Sequence, residues 1–93
     1  MKDRNREEAV LIRRERAVCE ASVPVGGRTV HYRLTYESSA YLLRLQEGER
    51  TCTLTLGERL SAAARVFELF VQGGVTVLTA REILEDLYEQ EML

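Results

Sequence analysis

Three runs of strict alternation stand back to back in the middle of the chain, and they constrain its fold more than any other feature. From Arg28 to Tyr36, Val30, Tyr32, Leu34 and Tyr36 alternate with Thr29, His31, Arg33 and Thr35. From Tyr41 to Glu47, Tyr41, Leu43 and Leu45 alternate with Leu42, Arg44 and Gln46. From Arg50 to Leu56, Cys52, Leu54 and Leu56 alternate with Thr51, Thr53 and Thr55. Period-two patterning of this length marks half-buried antiparallel strands. An earlier strand fits Arg16–Val23, with Ala17, Cys19, Ala21 and Val23 facing in. The links are short and turn-forming: Pro24-Val25-Gly26-Gly27, Glu37-Ser38-Ser39-Ala40 and Gly48-Glu49. Consecutive strands joined this closely form a four-stranded antiparallel meander.

After Leu56 the period changes. Leu60, Ala63, Ala64, Phe67, Phe70 and Val71 fall on one helical stripe, and Gly73-Gly74 ends it. Ala62, Val66 and Leu69 widen the apolar arc to roughly 220° at 100° per residue. So wide an arc predicts two apolar neighbours, of which the second is another helix or a second copy of the chain. Val75–Leu78 then reads as an extended segment, and Thr79-Ala80-Arg81-Glu82 as a capping box. The last helix places Ile83, Leu84, Leu87 and Tyr88 on one side and Glu82, Glu85, Asp86 and Glu89 on the other. The fold class expected is α+β, with both C-terminal helices packed on one face of the meander.

With 93 residues there is room for one domain, assigned to residues 16–93 behind a charged leader over residues 1–15. The leader is read as mobile, although Asn5-Arg6-Glu7-Glu8 could open a short helix through Ala9, Val10 and Ile12, and Ala9–Ile12 could equally begin the first strand. No apolar run is long enough for a membrane span or a signal-peptide core, so a cytoplasmic location is expected.

The net charge of −2 argues against a strongly basic nucleic-acid binder. Residues 1–16 are mildly basic, whereas Arg81 alone faces Glu82, Glu85, Asp86, Glu89 and Glu91 at the other end. Two cysteines, Cys19 and Cys52, are too few for a disulfide scaffold or a four-ligand zinc site. The one histidine, His31, has the parity opposite to both cysteines, so it is not placed to activate either of them. Gly26-Gly27 and Gly73-Gly74 match neither a dinucleotide loop nor a P-loop. No catalytic residue, cofactor, metal or small-molecule substrate is expected.

Thr79-Ala80-Arg81-Glu82-Ile83-Leu84-Glu85-Asp86-Leu87, taken with the order of elements, resembles a family of short bacterial proteins of unknown function. Its members are similar in having a strand meander, one helix and a last helix with an apolar Glu-Asp signature. The chain departs from that pattern in its charged leader and in Leu87, where the family has an aromatic. The resemblance implies the fold and no site residue.

The functional expectation is therefore a small non-enzymatic interaction or regulatory module, self-associating as a homodimer. Ala62, Val66 and Leu69, rimmed by Arg65, are its expected interface. Glu82, Glu85, Asp86 and Glu89 form a second surface for a basic protein partner. The alternative is a nucleic-acid-binding regulator that uses the polar sheet face with His31, Arg33, Arg44 and Gln46.

Overall fold

The computed structural model describes residues 17–90. The expectations placed on residues 1–16, including the Asn5–Glu8 cap, lie outside that range. The architecture is α+β. Four strands, β1 (Ala17–Val25), β2 (Arg28–Glu37), β3 (Ala40–Glu47) and β4 (Arg50–Thr55), form one antiparallel sheet in the order β1-β2-β3-β4. Two helices follow, α1 (Leu60–Gly73) and α2 (Ala80–Glu89), and both pack on the same face of the sheet.

Each strand connection is a two-residue turn, which sets the register of the whole sheet. Val25 pairs with Arg28 across Gly26-Gly27, Glu37 with Ala40 across Ser38-Ser39, and Glu47 with Arg50 across Gly48-Glu49. Gly26 and Gly27 both adopt positive φ, as do Ser38 and Ser39. Two successive positive φ values give the turn twist that matches the strands it joins. The serines achieve this without glycine, which is why the sequence read only a polar loop there. β1 runs two residues past Val23 because Pro24, on an edge strand, can pair with Thr29 without needing an amide hydrogen on its solvent side.

Val30, Tyr32, Leu34, Leu43, Leu45, Leu54 and Leu56 point from the sheet into the core. Ala63, Val66, Phe67 and Phe70 meet them from α1, at the i, i+3, i+4, i+7 spacing of one helical face. Ala80 and Leu84 of α2 complete the layer. Leu60, read as part of the buried stripe, is instead half exposed in the first turn of α1. Tyr36 keeps its inward parity but lies beside the Ser38-Ser39 turn, 48 % exposed, with its ring tilted against that of Tyr41 at 4.7 Å.

α1 ends in a Schellman motif. Gly74, at φ 61°, donates its N–H to the carbonyl of Val71, and Val75 donates to Phe70. The connector that follows is fastened to the sheet twice. The Tyr32 hydroxyl donates to the Val75 carbonyl at 2.7 Å, and the Val77 N–H donates to the Glu47 carboxylate at 3.3 Å. Burial, with the Glu47 charge as a second cause, raises the pKa of the Tyr32 phenol and keeps it a donor.

Residues 77–79 form a turn rather than the extended segment expected. The capping box at Thr79 is not made either. Thr79 has helical backbone angles, φ −105° and ψ 0°, instead of the extended conformation of a side-chain cap, and its hydroxyl turns back toward Thr76.

Candidate functional site: the uncovered sheet face

Both helices lie on one side of the sheet, so among the described residues its other side carries no helix. Two parallel rungs cross it. Glu20, Arg33, Arg44 and Thr53 pair successively from β1 to β4, and Ser22, His31, Gln46 and Thr51 form the next rung. Between them lies an open cleft of about 190 Å³, walled by the side chains of Glu20, Ser22, His31, Arg33, Arg44 and Gln46.

The arginine pair is the unusual feature. Like charges directly opposite each other destabilise a strand pair. Here each guanidinium is steadied by a carboxylate: Arg33 Nε lies 3.7 Å from Glu20, and Arg44 Nη2 lies 3.1 Å from Glu37. Glu37 also accepts a hydrogen bond from the Thr35 hydroxyl at 3.2 Å. Thr35 alternates with the apolar residues of β2 and is expected on the polar side of the strand, yet it is fully buried. Its cross-strand neighbours are Ala17 and Leu42; Ala17, expected to face in with Cys19, is instead brought opposite Thr35 by the register shift between Ala17 and Cys19. Thr29, Thr51, Thr53 and Thr55 are exposed as the alternation predicts.

On the second rung, Ser22 Oγ lies 2.7 Å from His31 Nδ1. That is a nucleophile-to-base distance, but both residues are exposed, and among the described residues the second ring nitrogen of His31 has no hydrogen-bond partner. A base normally needs such a partner to orient it. The contact therefore fixes a surface imidazole at the lip of the cleft. The sequence placed His31 correctly beside Arg33 but carried no sign of Ser22, whose position depends on the β1–β2 register.

The surfaces expected on the helices fare differently. Val66 is fully buried inside a single chain, so it is not available as an interface residue. α1 is rotated so that Val66 joins Ala63, Phe67 and Phe70 on the sheet-facing side, which removes the centre of the expected patch. Ala62 and Leu69 are half-buried and Arg65 is exposed. Glu82, Glu85, Asp86 and Glu89 all face the solvent on α2.

Cys19 and Cys52 are free, half-buried thiols on the two edge strands of the sheet. Among the described residues no three His, Cys, Asp or Glu side chains converge on a metal-sized site, and no helix is long and apolar enough to cross a membrane. Comparison with known proteins gives no match to any family model, curated protein or solved structure.

Proposed function

We propose that this protein is a small non-enzymatic interaction module whose working surface is the uncovered face of its sheet. The observation that carries this reading is the Arg33–Arg44 rung. Two arginines stand directly opposite each other, each beside its own carboxylate, in a region where threonines alone would make a solvated strand. Arginine is enriched at protein interfaces because its fork makes several directed hydrogen bonds at once. Self-association through α1 is the weaker reading, because the buried Val66 takes away its central apolar residue.

The test is site-specific photo-crosslinking in the native host. A crosslinker at Gln46 or Thr53 on the uncovered face should give discrete protein adducts, and one at Glu68 on the outer side of α1 should not. Equal adducts from both sides, or none from the sheet, would reject the reading.

A further inference from the structure

The two edges of the sheet differ. β1 and β4 are its outer strands. An edge strand presents a row of backbone N–H and C=O groups to other chains, and proteins blunt such edges with proline, charge or a β-bulge. β1 carries all three: Pro24 lacks an amide hydrogen, Glu20 is exposed, and the register shifts between Ala17 and Cys19. β4 carries none of them over residues 51–56, although 30 % of the chain is charged.

The β3–β4 register shows which groups of that edge are free. Glu47 and Arg50 close a two-residue hairpin, and so exchange backbone hydrogen bonds. At the far end the Leu56 N–H donates to the Tyr41 carbonyl at 2.8 Å. Bonded residues alternate along an antiparallel strand. Arg50, Cys52 and Leu54 therefore bond to β3, whereas the N–H and C=O of Thr51, Thr53 and Thr55 point away from it. Among the described residues these outward groups have no partner.

We propose that β4 pairs antiparallel with β4 of a second copy, about a two-fold axis at Thr53, so that one sheet runs through both chains. The occupant is a second copy because the strand is its own complement in that register. A two-fold interface uses the same patch on both chains, and threonines at 51, 53 and 55 are symmetric about the central one. Thr53 meets the partner's Thr53 and Thr51 meets the partner's Thr55, which satisfies every outward backbone group. Threonines directly opposite each other are also a favourable cross-strand pair. Sliding the strands by two residues leaves one threonine of each chain unpaired. On the helix-bearing side Cys52, half-buried in one chain, comes to lie opposite the partner's Leu54. The dimer does not depend on the sheet-face reading above.

Sedimentation equilibrium of the whole chain should show a concentration-dependent species of twice its mass. Thr53→Lys and Thr53→Glu each set like charges against each other at the axis and should weaken the dimer about fivefold or more. Mixing the two should restore it. Thr29→Lys, exposed on β2, should leave it unchanged. In a Cys19→Ala/Cys52→Ala background, Thr53→Cys treated with diamide should form a disulfide between chains. Thr51→Cys should not, because its counterpart lies about 14 Å along the strand, beyond disulfide reach. The crosslink introduces no charge, so it decides the question if the charged variants fail to fold. A monomer up to about 1 mM overturns the inference. So does a dimer that folded Thr53→Lys leaves unchanged, a mixture no tighter than either variant alone, or a crosslink at Thr51→Cys equal to that at Thr53→Cys.

Discussion

Tyr32→Phe removes one oxygen atom from the centre of the molecule and should be felt across it. Tyr32 is 1 % exposed, and its hydroxyl donates to the Val75 carbonyl 43 residues further along the chain. The ring stays in the variant, so no cavity opens and the apolar burial is unchanged. What is lost is the donor to a carbonyl already out of water. Leaving a buried acceptor without its donor costs about 1–3 kcal/mol. For a domain of this size each kcal/mol lowers the melting temperature by about 4–8 °C. The expected drop is therefore at least about 4 °C by circular dichroism. Tyr36→Phe is the control. Tyr36 is half exposed, and its removal should cost no more than about 0.5 kcal/mol.

The same bond makes a pH prediction. The Tyr32 phenol has a pKa raised above the usual tyrosine value of about 10, by burial first and by Glu47 second. An acid that holds its proton more tightly when folded gives stability that is complete below the unfolded pKa and lost as pH climbs beyond it. Wild type should lose stability above about pH 10 more steeply than Tyr32→Phe. Melting temperatures of Tyr32→Phe and Tyr36→Phe that agree within a degree, with parallel alkaline curves, would refute the role assigned to the hydroxyl.

Glu47→Ala should destabilise by about 1.5–3 kcal/mol in urea, because its carboxylate accepts the Val77 amide from a largely buried position. Arg28→Ala should cost less than about 1 kcal/mol, since the Arg28 end of its ion pair with Glu47 is mostly in solvent. Gly74→Ala should lose about 1–2 kcal/mol or more, because it forces a left-handed φ on an L residue and sets a Cβ 3.2 Å from Val25 Cγ2; Gly73→Ala, with no atom nearer than 3.9 Å, should be neutral or stabilising in the same melts. Val66→Glu should unfold the chain, since it buries a charge in the core, whereas Leu69→Glu should leave a folded protein of unchanged mass by light scattering.

The sheet was legible because period-two alternation and two-residue turns are local signals, and the pattern around Val30, Leu43 and Leu54 has one solution. The orientation of α1 was less so. An arc of roughly 220° leaves more than one rotation that buries enough apolar surface, and the choice of Val66 over Leu60 is made by the sheet it meets. Thr79 failed as a cap for a related reason. A capping box states what the side chain can do, but the Thr76–Thr79 turn had already set the backbone. Thr35 and Ser22 were invisible for want of cross-strand register, which no single strand contains. His31, Arg33 and Arg44 were placed on the polar face from parity alone, yet only the β2–β3 register shows that the two arginines are partners.

The helix-bearing side of the sheet carries the apolar core, and on the other side Thr35 is the one fully buried residue among those described. Serine and threonine at every outward position would satisfy the strands, and Thr51, Thr53 and Thr55 show that β4 follows this course. β2 and β3 do not. They bring Arg33 and Arg44 together, with Glu20 of β1 beside Arg33 of β2 and Glu37 of β2 beside Arg44 of β3. Arg33 and Glu20 are both substantially exposed, so their pairing adds little to folding. The Arg33–Arg44 pair is thus held in a defined position by a β2–β3 register that the core enforces, with a carboxylate beside each guanidinium.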